Sequence, residues 1–239
     1  ILPKELEKLN LLPTYRNDLN NYLESNKSKL KKHIYFHHLN SSQAMCLNFF
    51  YPLFEEKELE LILKFLGFDN EEINYSKTCF EKDSIIEKSN KNYRPTSFDF
   101  YVETITGKKI FFEIKYTEKE FGKAKQDEIH INKFNEVYKN NLQFIKKEYQ
   151  QTNVFLTNYQ ILRNLICISE NSYVVFLYPN RNAKIKNQAE SAKLKMLNDN
   201  VKDNLINKTW EELIVYAEKN AKNLKIKEQL KSFKEKYNI

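Results

Sequence analysis

Residues 95–118 read Pro-Thr-Ser-Phe-Asp-Phe-Tyr-Val-Glu-Thr-Ile-Thr-Gly-Lys-Lys-Ile-Phe-Phe-Glu-Ile-Lys-Tyr-Thr-Glu. Aromatic and β-branched residues fill two arms, and Gly107 stands where the chain must reverse. This pattern predicts a β-hairpin turning at Thr106-Gly107-Lys108. Three charges interrupt the apolar arms: Asp99, Glu113 and Lys115.

Side chains alternate across a strand, so Glu113 and Lys115 share a face. A hairpin pivoting on Thr106 sets Asp99 across from Glu113; one pivoting on Gly107 sets it across from Lys115. Either needs an odd loop, such as a three-residue turn with glycine in the left-handed position. Two carboxylates converging oxygen-first suit a hard cation such as Mg²⁺. A lysine one step along can orient an attacking water or neutralise a phosphate oxygen. Together these are parts for metal-assisted phosphodiester hydrolysis. A solvated face with an Asp–Lys cross-strand ion pair would also explain the charges.

Asp99 followed after a hairpin by Glu113-Ile114-Lys115 resembles the PD-(D/E)XK nuclease superfamily, the restriction-endonuclease-like fold. The wider pattern is similar to a bacterial branch of nuclease-like proteins within it. That pattern comprises Ser97-Phe98-Asp99, Phe112 to Glu118, Ser41-Ser42-Gln43-Ala44 upstream, and Tyr159-Gln160 with Arg163-Asn164 downstream. The resemblance spans about residues 36–180. One departure is that the family's proline usually precedes the aspartate directly, whereas here Phe98 does and Pro95 lies further back. The resemblance implies a Mg²⁺-dependent deoxyribonuclease, with Mn²⁺ as a substitute. Asp99, Glu113 and the Ile114 carbonyl would hold the cation, Lys115 would position the water, and Gln43 and Gln160 would brace the site or the substrate. Glu81, on a short strand expected at 78–81, falls near Asp99 if that strand pairs with residues 98–105; an auxiliary metal ligand and an ordinary edge charge are equally open.

The chain's 239 residues carry 41% hydrophobic residues, enough for a substantial core, and a net charge of +7, which favours a polyanion partner. DNA is the expected substrate; a double-strand cutter would pair two copies. Cys46, Cys79 and Cys167 lie in apolar contexts without a C-x-x-C, which points to buried thiols in a reducing cytoplasm rather than disulfides or a zinc knuckle. No apolar run reaches membrane-spanning length and no signal peptide is visible, so a cytoplasmic protein with no membrane partner is expected.

Helices are expected over 3–32, broken at Pro13; over 43–51, capped by Ser41-Ser42; and over 56–68, ended by Gly67. His33 and His37 stand four apart, but no acidic partner completes a zinc motif, and the histidines are read as structural. Residues 82–94 read as a mobile loop ahead of the hairpin, a common place for recognition. Lys119, Lys123 and Lys125 are candidate phosphate contacts. Glu118 could help a second metal or cap the strand exit. Helices are expected over 131–149 and, capped by Thr157-Asn158, over 159–169. The apolar run 173–179 reads as a central strand. Helices then follow over 184–197 and from Leu205 to the end.

This order predicts an α/β fold: a restriction-endonuclease-like mixed sheet flanked by helices, with extra N- and C-terminal helices. One domain is expected, with an N-terminal helical layer (1–35), a catalytic core (36–182) and C-terminal helices (183–239). The alternatives are a non-catalytic nucleic-acid-binding module of the same fold and a protein-interaction scaffold whose basic charge is compositional.

Overall fold

The computed structural model describes residues 1–28, 30–88, 93 and 95–239. Pro13 separates a 3₁₀ turn (Lys4–Asn10) from α1 (Arg16–Ser25). The Ser41 hydroxyl accepts from the Ala44 amide and starts α2 (Ser42–Glu55), which is buried from Gln43 to Leu53 and runs on through Pro52. α3 (Glu60–Phe65) ends where Gly67 turns left-handed at φ +88°. There the Phe68 and Gly67 amides donate back to the carbonyls of Leu63 and Lys64, closing the helix end.

β1 (Cys79–Asp83) leads into one helical turn, α4 (Ile85–Lys88). The rest of the expected 82–94 loop, apart from Tyr93, lies outside the described residues. β2 (Ser97–Glu103) and β3 (Lys109–Ile114) form the predicted hairpin. The Thr104 amide donates to the Lys108 carbonyl, so the loop is 105–107, one residue earlier than expected, with Gly107 at φ +89°.

The long helix expected over 131–149 is a correction. α5 (Glu128–Lys133) passes into a π turn at Phe134–Tyr138 and a 3₁₀ turn at Lys139–Asn141, then irregular chain. The Asn141 side chain donates to the Val137 carbonyl, and Phe134, Val137 and Tyr138 are buried. Packing and side-chain-to-backbone bonding override the helical period there. α6 (Thr152–Thr157) and α7 (Tyr159–Leu165) follow. The Thr157-Asn158 cap is also corrected: both side chains donate backwards to carbonyls of α6.

β4 (Ser172–Tyr178) is central, as its continuous apolar run implied, and α8 (Ala183–Ser191) comes next. Leu205–Thr209, expected to open a helix, is instead β5. It is short, and its half-buried middle residues Ile206, Asn207 and Lys208 show no alternation, so only pairing with β4 reveals it. A capping box at Thr209 and Glu212 then starts α9 (Trp210–Asn220), and α10 (Leu224–Tyr237) closes the chain.

The five strands lie in the order β1-β2-β3-β4-β5. β1, β2 and β3 are antiparallel neighbours, and β3, β4 and β5 are parallel. The fold is thus a mixed sheet between helical layers. On one face Phe100, Phe112 and Val175 pack with α2, α9 and α10; the Phe50 ring stacks on Phe100 at 4.5 Å. On the other face Phe111, Val174 and Phe176 pack with α6, α7 and α8. No helix among the described residues is long and apolar enough to cross a membrane.

Candidate active site

The β2–β3 register pairs Phe100 with Phe112 and Tyr101 with Phe111. Continued one step, it sets Asp99 opposite Glu113, the pivot on Thr106. The β1–β2 register pairs Phe80 with Phe100 and Lys82 with Phe98, so Glu81 stands on the other side of Asp99. At this level the alternation slips in both strands. Phe80 and Phe100 enter one core, while Phe98 enters the other and the Lys82 ammonium lies over Tyr101, also on that second side. Glu81 takes a left-handed φ of +51°, rare for a residue with a side chain. The local kink lets the Asp99 carboxylate reach across and accept from the Ile114 amide at 2.6 Å.

Glu113 and Lys115 are each 5% exposed, and the Lys115 ammonium donates to Glu113 Oε1 at 2.9 Å. Burial alone would lower the lysine; the Glu113 charge, with Glu118 and Asp99 nearby, outweighs it and holds the ammonium above the usual lysine range. Asp99 has the opposite balance. Its burial and the charges of Glu113 and Glu81 push its carboxyl well above the usual aspartate range, against the Ile114 amide and Lys115.

Two helices from opposite faces of the sheet reach this end. On α7 the Gln160 amide donates to Glu113 Oε1 at 2.7 Å and the Asn164 amide to Oε2 at 2.9 Å. Gln160 in turn accepts from the Gly122 amide at 2.7 Å, so its orientation is set from behind. Gln43, on α2, donates to Glu81 at 2.8 Å and to the Lys31 carbonyl at 3.0 Å, and accepts from the His33 amide at 2.8 Å. Gln43 therefore grips Glu81 and the chain before α2, not the Asp99–Glu113 pair itself. The Ile114 backbone, expected among the cation's ligands, lies between the two acids in the same strand end.

Asp99, Glu113, Ile114, Lys115, Gln43, Gln160 and Glu81 all line one cleft of about 880 Å³. Lys119, Lys123 and Lys125 lie outside its lining, and Lys123 is paired with Glu120 at 3.7 Å. Glu118 lines the cleft and caps the strand exit by accepting from the Tyr116 amide. Residues 34–37 form turns rather than a helix, so the four-residue spacing of His33 and His37 does not place them on one helical face; His33 and His38 line the cleft mouth. Among the cysteines Cys46 is buried, with its thiol toward the Asp99 carbonyl at 3.6 Å, whereas Cys79 and Cys167 are only half-buried.

A family model described as restriction endonuclease associating with ARP matches residues 1–238. The chain belongs to this REase-ARP family. No curated protein and no solved structure matches it. Membership gives the REase-ARP chain its class, that of a nuclease.

Three further residues hold or line this cleft. Asn164 holds Glu113, and its signal was the four-residue spacing from Gln160 on one helix. Trp210 donates its indole N–H to the Lys115 carbonyl at 3.2 Å, a contact 95 residues apart that no local pattern carries. Arg163, one turn after Gln160, lines the cleft with its guanidinium over the Tyr159 ring at 5.3 Å. Among the described residues, no group of three or more His, Cys, Asp or Glu side chains forms a ready metal cage.

Proposed function

We propose that this protein is a metal-dependent deoxyribonuclease of the PD-(D/E)XK type, hydrolysing DNA phosphodiester bonds as an endonuclease. The observation that carries the reading is the gathering of these groups in one cleft: Asp99 accepts from the Ile114 amide, next to Glu113, and Lys115 is hydrogen-bonded to Glu113. A divalent ion fits the donor chemistry. Mg²⁺ commonly takes one or two carboxylates and keeps several waters, so it needs no all-protein cage. The raised carboxyl of Asp99 marks an excess of buried negative charge, which a cation would relieve.

Asp99, Glu113 and the Ile114 carbonyl would hold Mg²⁺ or Mn²⁺, which when bound supplies Lewis-acid stabilisation of the phosphoryl oxygen. Lys115, a cation at working pH, would hold the attacking water and offset charge building on the phosphate. Gln160 and Asn164 fix the Glu113 carboxylate by one N–H on each oxygen. Gln43 would act through Glu81, either as that residue joins the ion or as its charge tunes Asp99.

Plasmid cleavage with Mg²⁺ or Mn²⁺ tests the assignment. Wild type is expected to cut, and Asp99→Ala and Lys115→Ala to lose at least a hundredfold in rate. Equal cleavage by all three would remove these residues from the chemistry.

A further inference from the structure

The mouth of the cleft has a feature the hydrolytic chemistry does not require. Residues His33, Tyr35 and His38 form a run of rings, with centroids 5.3 Å apart for His33–Tyr35 and 4.9 Å for Tyr35–His38. All three line the cleft, together with Ile34. Tyr35 is 53% and Ile34 67% exposed, an unusual outlay of apolar surface beside a charged site.

This rim is built into the fold at several points. Phe36 is buried, and its carbonyl and that of His38 accept from the Asn10 side chain at 2.6 and 2.7 Å. Gln43 fastens Lys31 and His33 to Glu81 at one end. At the other, Asn40 donates to Thr117, two residues beyond Lys115, at 2.9 Å. The rings are thus held in fixed relation to the candidate catalytic hairpin.

A second observation lies across the cleft. The Nε of Arg163 is buried and has no hydrogen-bond partner among the described residues, and Arg163 lines the same cleft as Gln160 and Lys115. An unanswered guanidinium N–H in such a place calls for an anion with fixed geometry, as a phosphate has. The cleft also continues past Lys31, Glu81 and Ser97, which it shares with a second hollow of about 670 Å³ over β1, lined by Lys82 and Lys88.

From these we infer that the cleft takes an unpaired DNA strand, with a base stacked on the Tyr35 rings and a backbone phosphate against Arg163. The inference rests on the nuclease reading above. In a duplex the base faces are covered by their neighbours, and exposed rings gain nothing from them. In a single strand, an overhang or a bubble they are free, and stacking on protein aromatics is the usual means of holding them. Glu113 and Lys115 lie 5% exposed within the cleft, where a splayed strand can descend and a rigid double helix is kept at the rim.

The test is fluorescence anisotropy with an end-labelled 12-nucleotide DNA, single-stranded and as a blunt duplex, in EDTA so that nothing turns over. Wild type should bind the single strand at least tenfold more tightly. Tyr35→Ala should lose between about fivefold and a hundredfold on the single strand and nothing on the duplex. Tyr35→Phe should retain wild-type binding, because the ring and not the hydroxyl is used. Equal affinity for the two DNAs, or an equal loss on both with Tyr35→Ala, overturns the inference. Cleavage of the same single strand and blunt duplex with Mg²⁺ added separates it from its premise. Strand preference in a protein that never cuts upholds the strand site and removes the nuclease. Blunt-duplex cleavage indifferent to Tyr35→Ala keeps the nuclease and removes the strand site.

Discussion

Asp99 is held against electrostatic opposition: its burial and the charges of Glu113 and Glu81 disfavour its ionised form. Its folded carboxyl titrates above its unfolded value, near 3.9 for a free aspartate. Between those two values the folded state holds a proton that the unfolded state has released, so stability falls as pH rises from about 4. The penalty is complete above the folded value. Asp99→Asn keeps an oxygen for the Ile114 amide and removes the charge. In the absence of divalent ions it should melt higher than wild type at pH 8, by roughly 0.5–2 kcal/mol, with the gap closing near pH 4. Thermal melts across that range check this; an advantage over wild type no larger at pH 8 than at pH 4 would mean that the carboxylate is well solvated after all. The same variant should be inactive, the usual exchange of stability for a charged site.

At the scale of elements, the site is a strand hairpin held between amide side chains of two helices. Gln160 and Asn164 orient Glu113 from α7, while Gln43 on α2 joins β1 to the rim. Gln43→Leu matches the volume but strands the Lys31 carbonyl and the His33 amide. It should cost about 1–3 kcal/mol. Hydrogen exchange should show faster opening at His33, with Phe50 in the middle of α2 unchanged; equal protection at both would deny Gln43 its fastening role. Farther back, Glu87 of α4 is fully buried and accepts from the Thr96 amide and hydroxyl and from Tyr138, which bonds Tyr159. That network pins the chain just ahead of β2 to the segment where the expected long helix breaks.

Over the whole molecule, the C-terminal third is structural to the site rather than an appendage. β5 completes the parallel half of the sheet, and Trp210, fully buried, touches the Lys115 carbonyl. Phe233 on α10 packs on Phe49 and Trp210 at 5.3 and 5.5 Å between centroids. Phe233→Ala should lose about 3–5 kcal/mol. Trp210 is the single tryptophan, so its fluorescence in a urea titration reads that loss directly; a shift under 1 kcal/mol would show that α10 is loosely docked.

Residue order alone determined the hairpin, the central strand, the capped α2 and the Gly67 stop. Each rests on short-range periodicity, a cap or a glycine, and such signals survive in a linear string. It also supplied the acids and the amine, and limited the hairpin to two pivots. Only the tertiary structure chose Thr106 over Gly107, and with it Glu113 as the partner facing Asp99. The same is true of β5, whose five residues look helical until β4 offers them a ladder, and of Trp210 and the His33–Tyr35–His38 rim. Those belong to the site through contacts between segments tens of residues apart, and distance in space is not written in neighbouring letters.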